Sequence, residues 1–209
     1  MIRILIVDDH AIIREGLRQI IAKADDMTVV AEARNGCEAL SYPRHDLDVI
    51  ILDISMPGLS GLEVLSRIKR ENPRVSILIL SAYPEELYAV RSLRAGASGY
   101  LTKESLPYEL LKAIRLAAAG KRYVSASLAE RLTVEALCRS DRPLHQNLSA
   151  REFQVFRLLS SGKSVREIAG ELSLGLPSVS TYRARILAKM KMKHVAELIH
   201  YAVRNRLAD

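Results

Sequence analysis

The chain has 209 residues, 49% of them hydrophobic and 26% charged, a balance that excludes a disordered or fibrous protein and allows one or two packed domains. No run of about twenty apolar residues is present to cross a bilayer as a helix. The net charge of +7 is unevenly placed: residues 1–120 carry 15 Lys+Arg against 16 Asp+Glu, and residues 121–209 carry 16 against 8.

In the first half, short unbroken apolar runs alternate with helical periodicity. The runs are ILIV (4–7), MTVV (27–30), VIIL (49–52), SILIL (76–80) and GYL (99–101), continuous rather than alternating, as in buried parallel strands. Between and after them, helical spacing covers roughly 11–23, 36–42, 60–71, 84–95 and 105–119. Five such repeats predict a doubly wound α/β domain over 1–120, with helices on both faces of a five-stranded parallel sheet.

After Gly120 the pattern changes. A helix is expected near 125–138, followed by the polar segment Arg139-Ser140-Asp141-Arg142-Pro143, so 121–147 reads as a helix and interdomain linker. From 148 to 209 only helical patterns occur, predicting a small all-α domain. Ser149 with Glu152, and Ser164 with Glu167, have capping-box spacing. Gly162 suits the end of the first of these helices. A tight passage from Ser173 to Leu176 leads to Pro177, placed at a first helical position, where no N–H is needed. Two helices joined by a glycine-containing turn make a helix-turn-helix.

Ligands of parallel α/β sheets gather at the carboxyl ends of the strands. There the repeats bring Asp8, Asp9, Asp53, Ser81 and Lys103. Three acids at one edge repel unless they share a hard cation, and Mg²⁺, with its oxygen ligands, fits. Lys103 adds a second positive charge beside it. The combination favours phosphoryl transfer onto a carboxylate, with Asp53 as acceptor because it stands apart from the Asp8/Asp9 pair. For any one Asp, helix capping is the simpler account; for the whole set at matching strand ends it is not.

The stretches VDDH (7–10), LDISMPGLSGLE (52–63), LSAY (80–83) and GYLTKE (99–104) resemble the receiver domain of two-component response regulators. LSAREFQVFRLLSSGKSVREIAGEL (148–172) and VSTYRARILAKM (179–190) resemble a LuxR-type DNA-binding domain. Together they resemble the NarL/FixJ family along nearly the whole chain. The resemblance implies that Asp9 and Asp53 bind Mg²⁺ by side chain, Asp8 partly through water, and Ser55 through its main-chain carbonyl. It implies that Asp53 takes a phosphoryl group from a phosphohistidine of a sensor kinase, with Lys103 paired to that group and Ser81 hydrogen-bonded to it. Tyr100 would follow Ser81 by swinging inward as a switch.

Wound as a helix, residues 177–190 place Val179, Ile186 and Met190 on one face, with Tyr182 and Leu187 at its margins. Pro177, Thr181, Ala184 and Ala188 fall opposite, flanked by Ser180 and Arg185, a small polar face suited to a major groove. By resemblance, Ser180, Thr181 and Ala184 meet base edges and Arg185 meets guanine or phosphate. Arg183 is expected nearer the buried face, in an internal ion pair or on DNA. Lys189, Lys191 and Lys193 suit phosphates or a solvated rim. Gly175, Pro177 and Ser178 depart from the family's usual serine, lysine and threonine, altering the contacts at the helix start. Ala184 offers no hydrogen bond, leaving thymine methyls or DNA shape to supply specificity there. The apolar stripe Val195, Leu198, Ile199, Ala202 and Val203 either covers the core or pairs with a second subunit. His45, His145, His194 and His200 read as solvated, without metal-ligand spacing.

The expected protein is therefore a phosphorylation-controlled, dimerising transcription factor; the alternative is an atypical regulator switched without phosphate. A phosphatase is disfavoured, since the acid/base position two residues after Asp53 holds Ser55, and activity beyond slow loss of its own phosphoryl group is not expected. Cys37 and Cys138 have no partner spacing, and the N-terminus lacks an export pattern, so a cytoplasmic protein with two reduced thiols is expected.

Overall fold

Continuous β-branched and leucine runs form five strands: β1 (Ile2–Val7), β2 (Met27–Ala33), β3 (Val49–Asp53), β4 (Ser76–Ser81) and β5 (Gly99–Thr102). All pair in parallel, in the order β2-β1-β3-β4-β5. The computed structural model describes residues 1–43, 46–137 and 143–207, so the linker residues 139–142 and His45 lie outside it.

The helices of this unit are α1 (Ala11–Ile21), α2 (Gly36–Ser41), α3 (Gly61–Glu71), α4 (Glu85–Arg94), α5 (Leu106–Ala118) and α6 (Ala126–Leu137). Strand residues of one parity, Ile4, Ile6, Val49, Ile51, Leu78, Leu80 and Leu101, pack with Leu17 and Ile21 of α1 and with Leu110 and Ile114 of α5. The other parity, including Leu5, Val7, Ile50, Leu52, Ile77 and Ile79, is equally buried, because strand side chains alternate between faces and α2, α3 and α4 cover the second face. The central strands are thus sandwiched, which is why their sequences run without polar interruption. Edge strand β2 is only half-buried, and its pairing slips by one residue: Ile4 faces Val29, but Leu5 faces Ala31, leaving Val30 as a bulge.

Residues 121–137 do not stand apart as a linker. They belong to the first of two compact units, Met1–Leu137 and Cys138–Asp209. Tyr123 bridges to Gly99 beside β5, its N–H donating to the Ser98 carbonyl at 2.8 Å. Leu128 of α6 is fully buried. The expected boundary at 120 thus gives way to one after α6, because Tyr123 and Leu128 complete this core.

The second unit contains a 3₁₀ turn (Leu144–Asn147), α7 (Ala150–Ser160), α8 (Val165–Glu171), α9 (Leu176–Met190) and α10 (Val195–Arg204). Both expected capping boxes form, Ser149 with Glu152 and Ser164 with Glu167, and Gly162 takes the left-handed φ of +84° after α7. Pro177 is the second helical residue rather than the first, with Gly175 as the N-cap lacking a side-chain hydrogen bond. Among the described residues, no helix is long and apolar enough to cross a membrane.

Candidate functional site

Asp53 is the last residue of β3, and Asp8 and Asp9 follow β1. Asp53 and Asp8 are each only 1% exposed. Two hydrogen bonds tie Asp8 in place: its Oδ1 accepts from the His10 N–H at 2.8 Å, and the Arg14 side chain donates to its carbonyl at 2.9 Å. Lys103, after β5, sets its ammonium 2.7 Å from Asp8 Oδ2 and 3.1 Å from Asp53 Oδ2. It is carried there by the backbone, since the Lys103 N–H donates to the Ser81 carbonyl at 2.8 Å.

The electrostatics follow from this packing. Burial pushes the Asp53 carboxyl up against the pull of Lys103, and Asp8 beside it adds to the rise. Burial alone would lower Lys103, but the two carboxylates outweigh it and raise the ammonium above its ordinary value. Asp53 Oδ1 accepts no hydrogen bond, although an unpaired buried carboxylate oxygen is costly. Ligand atoms of Asp8, Asp9, His10 and Asp53 lie within 4.8 Å of one another. An oxygen-rich donor set with an orphaned buried oxygen fits a hard divalent cation.

The structure brings Asp8, Asp9, Asp53, Ser81 and Lys103 to one strand edge, with Ser55 two residues past Asp53. Ser81 is fully buried and its hydroxyl accepts from the Tyr83 N–H at 3.1 Å. Tyr100 is fully buried and its hydroxyl donates to the Tyr83 carbonyl at 2.8 Å. His10 was not expected at the site, yet its Nδ1 lies 3.0 Å from Asp9 Oδ1 and 3.3 Å from Asp8 Oδ1. Its only sequence signal is adjacency to the Asp pair.

Two packing features hold Asp53. The Ser60/Glu63 capping box starts α3 against the end of β3. Gly61 lies so close that a Cβ there would sit 1.9 Å from the Asp53 carbonyl oxygen.

In the second unit, α8 and α9 form the helix-turn-helix. The turn between them includes Ser173 at a left-handed φ of +51°, and the Leu174 N–H closes α8 on the Ala169 carbonyl at 2.8 Å. Buried Arg151 donates to the Leu172 carbonyl at 3.1 Å, fixing the turn to α7. Val179, Ile186 and Met190 are buried, with Tyr182 and Leu187 half-buried. Ser180, Thr181, Ala184, Arg185 and Ala188 are exposed, the face expected from the periodicity. Leu176 adds an apolar residue, 50% exposed, at the helix start. Thr181 donates its hydroxyl proton to the Pro177 carbonyl at 2.9 Å, leaving its methyl and lone pairs for a partner.

Arg183 is exposed rather than near the buried face. The internal ion pair is made instead by Lys189, whose ammonium lies 2.6 Å from the buried Glu152 carboxylate. Burial opposes charge on Glu152, but Lys189 and Ser149 hold its carboxyl below the ordinary value. Lys189→Met is expected to lower the stability of this unit by about 1–2 kcal/mol at neutral pH. The loss should shrink as pH falls through the carboxylate range and Glu152 takes up a proton; thermal unfolding at several pH values checks this. Lys191 and Lys193 are exposed.

On α10, Leu198 and Ala202 enter the core, Val195 is half-buried, and Ile199 and Val203 stay exposed, Val203 at 64%. His145 is not simply solvated: its Nδ1 is hydrogen-bonded to the Tyr201 hydroxyl at 3.0 Å, and its ring lies 6.0 Å from that of Phe153. His194 and His200 are exposed.

Comparison with known proteins matches each unit separately. Residues 4–115 match the response regulator receiver domain, and residues 146–202 match the bacterial regulatory proteins of the luxR family. Over 212 residues the chain is 34% identical to the response regulator UvrY of Escherichia coli K12, covering 100% of this chain and 97% of that one. It is 36% identical over 210 residues to the response regulator GacA of Pseudomonas protegens, covering 100% and 99%. Among solved structures, the response regulator ChrA of a heme-sensing two-component system matches with a TM-score of 0.54 at 32% identity, covering 99% of this chain and 98% of that one. RcsB of Salmonella enterica serovar Typhimurium, bound to promoter rprA in the presence of the phosphomimetic BeF₃⁻, matches with a TM-score of 0.66 at 26% identity, covering 96% and 98%. With an acidic strand edge on a 2-1-3-4-5 sheet, a basic helix-turn-helix after it, and full-length likeness to such regulators, this chain belongs to the NarL/FixJ family of DNA-binding two-component response regulators.

Proposed function

We propose that Asp53 accepts a phosphoryl group from a phosphohistidine of a sensor kinase, and that this controls dimerisation and DNA binding by the second unit. The single observation that carries the reading is the buried Asp53 carboxylate, with Oδ1 unpaired and the Lys103 ammonium 3.1 Å from Oδ2. An Asp53 oxygen attacks phosphorus as the P–N bond breaks, and the imidazole leaves with the electron pair and takes up a proton. Lys103 balances the charge gathering on the phosphoryl oxygens, and the Ser81 hydroxyl donates to one of them. Asp8, Asp9, Asp53 and the Ser55 carbonyl are the residues that would hold Mg²⁺. The ion would neutralise the carboxylates and draw charge from the transferring group. Ser55 offers no ionisable group for hydrolysis, so turnover is limited to slow loss of the protein's own phosphoryl group. Tyr100, fully buried with its hydroxyl on the Tyr83 carbonyl at 2.8 Å, serves as the switch residue that answers Ser81 and holds the loop after β4.

The recognition helix is α9, with Ser180, Thr181 and Ala184 at base edges. Arg183 and Arg185 supply free cations, while Lys189 is engaged with Glu152. Ile199 and Val203 on α10 pair with a second copy on DNA. The protein acts in the cytoplasm, where kinase and DNA are both accessible. Incubation with acetyl phosphate and Mg²⁺, followed by intact mass, tests the acceptor; no adduct of one phosphoryl group refutes it. For the DNA arm, Arg185→Ala is expected to weaken binding about tenfold and lower the slope of log affinity against log salt by about one. Titration against promoter-derived duplex at several salt concentrations measures both.

A further inference from the structure

The acceptor site and α6 are joined by a short chain of bonds. Ser81 ends β4, and its hydroxyl accepts the Tyr83 N–H at 3.1 Å. The Tyr83 carbonyl accepts the Tyr100 hydroxyl at 2.8 Å. Pro84 is the N-cap of α4 and Glu85 its first residue. One oxygen of Glu85, Oε2, accepts from the Ser125 hydroxyl at 2.6 Å and from the Ser127 hydroxyl at 2.9 Å. Ser125 is the residue before α6, and its hydroxyl oxygen accepts the Leu128 N–H at 3.1 Å, capping that helix.

We propose that Glu85 is a positioning residue that couples phosphorylation of Asp53 to the attachment of α6. The inference rests on the phosphoacceptor reading above. When the Ser81 hydroxyl turns to a phosphoryl oxygen, the segment Ser81-Ala82-Tyr83-Pro84 must move with it. Proline fixes one of its backbone angles, and Tyr100 pins its middle, so little slack remains before Glu85. Hydrogen bonds to a single shared oxygen are directional and weaken steeply with misalignment. A displaced Glu85 therefore loosens Ser125 and Ser127 together, and with them the cap of α6. Leu128 keeps the helix attached, so the effect is a graded loosening of its start. In sequence α6 is the last element before the DNA-binding unit, so its freedom sets how the chain enters that unit.

The test is hydrogen exchange by mass spectrometry on the full-length protein, with and without acetyl phosphate and Mg²⁺, adduct being counted separately by intact mass. In the wild type, phosphorylation should speed exchange in 126–137 about tenfold. Glu85→Ala should show that faster exchange without the phosphoryl donor, and adduct formation should then add nothing further. Because coupling is reciprocal at equilibrium, the variant should also hold a several-fold higher adduct fraction when transfer has equilibrated at a fixed ratio of acetyl phosphate to acetate, before hydrolysis draws it down, which a merely structural role would not produce. Glu85→Gln, keeping an acceptor oxygen, should return both readouts toward wild type. Ser127→Ala removes one of the same bonds from the other side while sparing the Ser125 cap, and should move both readouts part of the way toward Glu85→Ala. Unchanged exchange in 126–137 while adduct is present overturns the inference and leaves the acceptor intact. Absence of any adduct overturns the acceptor reading itself. Additive effects of Glu85→Ala and phosphorylation, or an unchanged adduct fraction, reduce Glu85 to a structural contact and overturn the coupling.

Discussion

Asp53→Asn is expected to abolish phosphoryl acceptance and, in metal-free buffer, to make the first unit more stable. Both results come from one cause. The carboxylate is nearly inaccessible and burial raises its pKa, so the ionised form that reacts is also the form that strains the fold. The amide keeps the shape and removes the charge, and Lys103 retains Asp8 as its partner at 2.7 Å. Replacing buried ionised groups by neutral ones is often stabilising, here by ~2 kcal/mol, which for a unit of this size raises Tm by roughly 5–10 °C. The sign with pH is fixed by the raised pKa. The native state binds the Asp53 proton more readily than the unfolded chain, so the cost of the charged carboxylate disappears as pH falls through its folded pKa. The advantage of Asp53→Asn should therefore be full at neutral pH and shrink in acid. Scanning calorimetry of both proteins from neutral to acid, with chelator present, measures it. A variant no more stable than wild type at neutral pH would mean that Lys103 compensates the buried charge completely.

Gly61→Ala should be the most damaging single methyl in the receiver. The added Cβ would meet the Asp53 carbonyl oxygen at 1.9 Å and its carbonyl carbon at 2.8 Å, both backbone atoms that cannot rotate away. Either α3 shifts off the sheet, losing the Gly61 N–H bond to the Ile54 carbonyl at 3.0 Å, or the end of β3 moves. Overpacking of this kind costs about 3 kcal/mol or more. Because the clash is with Asp53, the proposed acceptor, phosphorylation should slow at least tenfold even where the protein remains folded. Denaturant unfolding and the rate of adduct formation report the two effects separately. Stability lost with an unchanged phosphorylation rate would show that the strain is absorbed by α3 alone.

Much of this was legible in the residues. The run VIIL could only be a strand buried on both faces, and it lies in Val49–Asp53. The burial of Val179, Ile186 and Met190 follows from helical spacing alone. The acidic residues converge because strand ends converge. What escaped the sequence depended on contacts between distant segments. Lys189 reads as an exposed cation until α7 brings the buried carboxylate of Glu152 beside it. Arg151 and Arg157 contribute to the basic excess of the C-terminal half, yet both are buried, so part of that charge serves the interior. Tyr123 and Leu128 carry no local signal that they finish the receiver core, and Gly61 shows its necessity only once α3 rests on Asp53.

The slip at Val30 has a consequence for how the protein behaves among copies of itself. An open sheet edge is a template on which another chain can add a strand. Here β2 is such an edge, but its bulge breaks the regular spacing of outward N–H and C=O groups and increases the local twist. Glu32 on the same strand is ion-paired with Arg14 at 3.0 Å, so an incoming strand would also have to accommodate a charged pair. The irregularity thus works as a guard against edge-to-edge aggregation, favouring discrete assemblies in a protein that must stay dispersed at the concentrations where it searches for DNA.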